Sequence, residues 1–184
     1  MEYLIQGLLL GLGVGLAPGP LLALVISASL RGGTSHGLRV AFSPLITDLP
    51  IIVVSLFILR QINNSALGFL SIVGAIVLFY FAYESWVAGK NNPQDFINPS
   101  AWLFWMTAGG TLLVNGWNQS FIDAAGFLVG FYLLLIGSKV LLAFGIGSTR
   151  NKMPSWLYKL LVRIASVLLL VLGIELIRSS LNYF

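Results

Sequence analysis

Residues 4–30 form an apolar run long enough to cross a bilayer, and Ala17-Pro18-Gly19-Pro20 stands in the middle of it. Neither proline has a backbone N–H, and each ring clashes with the preceding helical turn. Gly19 adds conformational freedom between them. In hydrocarbon a freed carbonyl is costly unless protein or water satisfies it. Such a break survives only where it is buried in protein or lines a watery cavity. Broken helices near the bilayer midplane are the device by which transporters hold solutes. The first segment therefore points to a membrane fold with an interrupted helix and a solute route.

The rest of the chain agrees. Of its 184 residues 58% are hydrophobic and only 9% charged, against roughly 45–50% apolar residues in a soluble domain. The mean hydropathy is +0.93. Apolar segments lie at 4–30, 38–59, 66–88, 99–114, 121–147 and 156–177, separated by short turns rich in Gly, Asn, Ser and Pro. A spanning helix needs roughly 17–25 residues. The fourth segment is short and contains Gly109-Gly110. The pattern predicts an all-α integral membrane protein of six transmembrane helices, a single transporter domain over residues 1–184. No linker is long enough for a soluble domain. The first run is too long for a cleavable signal, and Glu2 stands where a positive region belongs.

Charge sets the expected orientation. Arg31, Arg39, Lys90, Arg150, Lys152 and Lys159 flank one set of turns, whereas Arg60 and Arg178 lie on the other side. The positive-inside rule puts the first set in the cytoplasm and both termini outside. Trp86, Trp102, Trp105, Trp156 and Tyr158 then fall near the cytoplasmic interface, and Trp117 and Tyr183 near the other, which reads as an aromatic belt. The net charge of +4 is scattered at span ends rather than gathered on a face, so no nucleic-acid partner is expected. With no cysteine, thiolate metal sites and dithiol relays are excluded. No cofactor is expected.

Two halves of three spans each would have opposite topology. The first span of each half carries a proline break: Pro18-Gly19-Pro20 in one, Asn98-Pro99 in the other. Matching interrupted segments are the best sequence pointer to a transporter's site. The halves, about 1–88 and 99–184, are read as two inverted three-helix repeats with broken first helices. Pro18, Gly19, Pro20, Asn98 and Pro99 are assigned to the substrate pathway. Pro20 would begin a half-helix at the midplane, and Asn98-Pro99 reads as N-cap plus Pro at N1. Each offers free N–H groups suited to a carboxylate.

Few residues carry charge inside the spans. Asp48 is central in the second and flanked by Pro44 and Pro50. An ionisable group there faces a cavity or a partner. It is either a proton or ion relay or the structural partner of Lys139, the basic residue deep in span five; Asp48 and Lys139 are the coupling candidates. Lys139 could also snorkel toward the cytoplasm. Glu84 is expected to be a solvated acid near the inner interface, Glu175 to pair with Arg178, and Asp123 to favour the N-terminal dipole of span five. His36 reads as a solvated loop residue. Gly7, Gly11, Gly15 and Gly19 recur every four residues, and Gly126 and Gly130 repeat the device once. The ridge allows close helix approach, within the chain or to another copy.

Ala17-Pro18-Gly19-Pro20, followed by Arg31-Gly32-Gly33 and Gly37, resembles the first segment of the LysE-type amino-acid exporter family. Asn98-Pro99-Ser100-Ala101-Trp102-Leu103-Phe104-Trp105 is similar to its fourth-segment signature, and Gly130-Phe131-Tyr132 through Gly137-Ser138-Lys139 to its fifth. The resemblance implies a multi-pass bacterial inner-membrane exporter of amino acids or related small solutes, driven by the proton gradient or membrane potential, and a homo-oligomer. The acid of span two occurs in only part of that family. The alternative within transport is a divalent-cation exporter, for which one central Asp and one loop His are a poor ligand supply. A membrane-embedded enzyme would need clustered acids, histidines or a nucleophile–base pair, and none stands in the sequence. A non-catalytic membrane subunit would have no use for two proline breaks and a central Asp. Ser27, Ser43, Thr47 and Ser55 are generic hydrogen-bonders that name no substrate.

Overall fold

In the computed structural model, residues 1–88, 101–149 and 154–183 are described, and those residues are helical with short connections. The helices are α1 (Glu2–Leu16), α2 (Pro20–Gly32), α3 (Thr34–Ala41), α4 (Pro44–Leu59), α5 (Asn64–Ala88), α6 (Ala101–Met106), α7 (Ala108–Gln119), α8 (Phe121–Thr149) and α9 (Ser155–Ser180). Four stretches are long and apolar enough to cross a membrane: Thr34–Leu59, Asn64–Val87, Phe121–Gly147 and Trp156–Ser180. The first apolar segment is a bent pair, α1 and α2 meeting at 61°. This is a multi-pass membrane protein.

The proline break falls where the sequence puts it. Gly19 itself is extended, with φ 174° and ψ 175°, a conformation open to any residue. The bend therefore comes from the prolines. The second span begins earlier than residue 38, because the linker around Arg31-Gly32-Gly33 shrinks to one residue. Gly33 has φ +73°, which glycine adopts without a Cβ penalty. Inside that span Pro44 lacks the N–H that Val40's carbonyl would receive. The Ser43 hydroxyl donates to Val40's carbonyl instead, at 2.8 Å.

The fourth segment differs from a plain short span. It is broken at Thr107, between α6 and α7, where the backbone turns to φ −124° and ψ −100°. Thr107 Oγ1 donates to Leu103's carbonyl (2.6 Å) and Thr111 Oγ1 to Thr107's (2.8 Å). The Thr107 hydroxyl serves Leu103's carbonyl, since the Thr107 N–H turns to Phe104's, whereas Thr107's carbonyl takes both the N–H and the hydroxyl of Thr111. Asn98 and Pro99, where the second break was expected, lie outside the described residues.

The glycine ridge is an internal packing surface. A Cβ on Gly7 would come within 3.0 Å of Phe127's backbone carbon, one on Gly11 within 2.8 Å of Phe131's, and one on Gly15 2.5 Å from Ser138 Oγ. The partner is α8. The register rises along both helices, so α1 and α8 run parallel. Opposed to this, α5 and α9 run antiparallel: Gly74 meets Leu176, Gly173 meets Phe79, and Ser166 Oγ donates to Ala82's carbonyl at 2.6 Å. Ser120 caps α8, accepting from the Asp123 N–H (3.0 Å) while its own hydroxyl donates to Asp123's carboxylate (2.7 Å). Glu175 and Arg178 pair at 3.9 Å.

Two readings are corrected. Trp86, Trp102 and Trp156 are exposed as a belt requires, but Trp105 is 1% exposed and sits in the core. Its ring is edge-on to Phe104 and Phe131 and stacked on Tyr132. Glu84 is 7% exposed rather than solvated, and accepts a hydrogen bond from Tyr80 at 2.9 Å.

Candidate functional site

The two proline-bearing segments, α1–α2 and α4, meet at one cavity of about 230 Å³. Val14 and Leu21 line it from either side of the α1–α2 break. Ser43, Thr47 and Asp48 line it from the second span, Phe104 and Trp105 from α6, and Phe131 from α8. Leu21 belongs to the first turn of α2, whose N–H groups have no intrahelical partner. Such an end carries partial positive charge. The cavity thus has a cationic dipole end, a carboxylate and an aromatic floor. Pockets for drug-sized ligands run to roughly 300–1,000 Å³, so this one suits a smaller solute.

Asp48 is half-buried and held by three side chains. Thr47 Oγ1 donates to Oδ1 at 3.2 Å, Tyr132 OH donates to Oδ2 at 3.2 Å, and Trp105 lies against the carboxyl. Tyr132 projects from α8, so the acid ties the second span to the fifth. No ion pair joins Asp48 and Lys139 among the described residues, where the pairs are Met1 N-terminus–Asp123 and Glu175–Arg178.

Lys139 has a different task. It is 2% exposed, and its ammonium donates to the carbonyl of Gly15. In an unbroken helix that carbonyl would accept from the N–H of residue 19. The break removes the bond, and a cation at the exposed carbonyl end of α1 takes its place. This is the charge that a helix C-terminus favours. Lys139 neither snorkels nor meets an acid; it closes the end of the first half-helix.

Residues 12–95 match the LysE type translocator family. The matched stretch contains the α1–α2 break, Asp48 and all of α5. No curated protein and no solved structure matches the chain.

Of the residues assigned from sequence, Pro18, Gly19 and Pro20 form the break beside the cavity and Asp48 faces it. Lys139 projects from α8 against the last turn of α1. Among the hydroxyls, Ser43 and Thr47 line the cavity, whereas Ser55 donates to Met106 Sδ at 3.2 Å beside the second break. Sequence reasoning missed Trp105, Phe131 and Tyr132 as site residues. A tyrosine hydroxyl in the middle of an apolar span was the one available signal, since it needs a hydrogen-bond partner there.

Proposed function

We propose that this chain is a secondary transporter exporting amino acids or related small solutes across the bacterial inner membrane, with Asp48 as the coupling acid. The observation that carries the reading is the shared cavity of Asp48 and the α1–α2 break. A zwitterion there would set its carboxylate at the N-terminus of α2 and its ammonium toward Asp48. A proton competing for the same carboxylate would displace the ammonium. That competition is a direct route to coupling.

Six crossings as two inverted repeats fit this role, and two features support them. First, α1 and α8 run parallel although α3–α4 and α5 lie between them in the chain, which is the direction a further crossing through the fourth segment gives if α1–α2 is one broken span. Second, the pairs of elements that touch have counterparts when the halves are exchanged, although α1 packs on α8 far more extensively than α4 packs on α6 and α7. The contact of α1 with α8 corresponds to that of α4 with α6 and α7, and α1 with α9 to α5 with α7. The pair α2 with α3 corresponds to α7 with α8, and α5 with α9 to itself. On this reading the Thr107 break is the counterpart of the proline break. Both termini then lie outside the cytoplasm, as the basic residues require.

The test is Asp48→Asn, neutral and nearly isosteric, in proteoliposomes. Transport of labelled amino acids driven by a pH gradient should fall at least tenfold, while exchange of solute down its own gradient survives. Gradient-driven transport equal to that of the unsubstituted protein would end the coupling role.

A further inference from the structure

A second cavity of about 440 Å³ opens between α1, α7 and α9, at the end of the molecule that holds Glu2 and Arg178. Its lining is unlike that of a lipid-facing groove. It brings together Glu2, Gln6, Asn115, Gln119, Glu175 and Arg178, with both signs of charge. The Glu175–Arg178 pair is loose at 3.9 Å, and both side chains are more than half exposed. Each therefore keeps donors or acceptors for a ligand. Gln6 donates to Glu2 at 3.2 Å. Leu112, Leu172 and Leu176 floor the cavity. They belong to the same buried apolar cluster as Phe104, Trp105 and Phe131, which line the Asp48 cavity. The two cavities are thus separated by one continuous apolar layer.

We infer that this outer vestibule is a second binding site for a zwitterionic solute, its carboxylate on Arg178 and its ammonium between Glu2 and Glu175. The inference rests on the export reading, in which the vestibule is where solute leaves. A guanidinium offers paired donors to a carboxylate, and the opposing acids exclude simple anions. Because these charges meet water, binding is weakened by salt, as release requires. The half-buried Asp48 carboxylate is screened less.

Equilibrium binding of radiolabelled L-amino acids to protein in phosphatidylglycerol nanodiscs tests this, since that lipid has no ammonium group to compete. The unsubstituted protein should hold two sites per chain. Arg178→Gln should weaken the salt-sensitive one at least tenfold, Arg178→Lys should retain part of it, and Asp48→Asn should leave it intact. Decarboxylated amines should fail to compete at it. If Arg178→Gln and Glu175→Gln both keep two unchanged sites, or if amines compete as well as amino acids, the vestibule site is overturned. A single site removed by Asp48→Asn but not by Arg178→Gln keeps the export cavity and also overturns the vestibule. A single site removed only by Arg178→Gln keeps the vestibule and overturns the Asp48 cavity. No binding at all overturns both.

Discussion

Gly11→Ala should lower the melting temperature of the purified protein by roughly 6–12 °C, on the basis of about 3 kcal/mol for overpacking a core. The new Cβ would overlap Phe131's carbonyl oxygen and lie 2.8 Å from its carbonyl carbon. Backbone atoms within a helix cannot step aside, so α1 and α8 must separate. Phe131 lines the Asp48 cavity and Tyr132 holds the acid, so transport should fall with stability. Gly126→Ala and Gly137→Ala are the controls. A Cβ at Gly126 meets Leu4 Cβ at 3.8 Å, and one at Gly137 meets nothing within 4 Å. Both should be neutral or slightly stabilising, because alanine favours a helix over glycine by roughly 0.5–1 kcal/mol. A Gly11→Ala protein that melts with these controls would show that the two helices part without loss.

The second large effect belongs to the break. Pro18→Ala with Pro20→Ala restores N–H groups able to reach Val14 and Leu16, at a propensity gain of about 3 kcal/mol per position. The N–H groups at the start of α2 would be taken up in intrahelical bonds. Export should fall at least tenfold while the protein still inserts. Not all of the gain should appear as stability. Straightening a 61° bend pulls α2 away from α3, where a Cβ on Gly37 would come within 3.2 Å of Ser29 Cβ on α2. The break also fixes the sign of a second substitution. In the native background Lys139→Met leaves Gly15's carbonyl without its donor and should destabilise by about 1–3 kcal/mol. In the double-alanine background the Gly19 N–H serves that carbonyl, and the lysine becomes a buried unpaired charge. There Lys139→Met should raise the melting temperature. Thermal melts of the four proteins give the cycle; the same sign in both backgrounds would detach Lys139 from the break.

The sequence alone determined the class, the break and the acid, because each rests on a local physical penalty. Proline has no N–H wherever it stands, and an aspartate amid apolar residues is costly whatever surrounds it. Pairing close in sequence, as at Glu175–Arg178, was legible for the same reason. Tertiary structure decided the rest. Helices apolar on every side give no periodic sign of which face meets lipid, so Trp105 read like Trp102 although one is buried and the other exposed. The Thr107 break has no proline to announce it, and the Thr107 hydroxyl reaches Leu103's carbonyl only once the turn exists. The ridge of Gly7, Gly11 and Gly15 showed that something approaches closely, not that it is α8. Lys139 could be matched with an acid by charge alone. That it serves the carbonyl of Gly15 follows only from two parallel helices in register, because the partner is a backbone group that every residue carries.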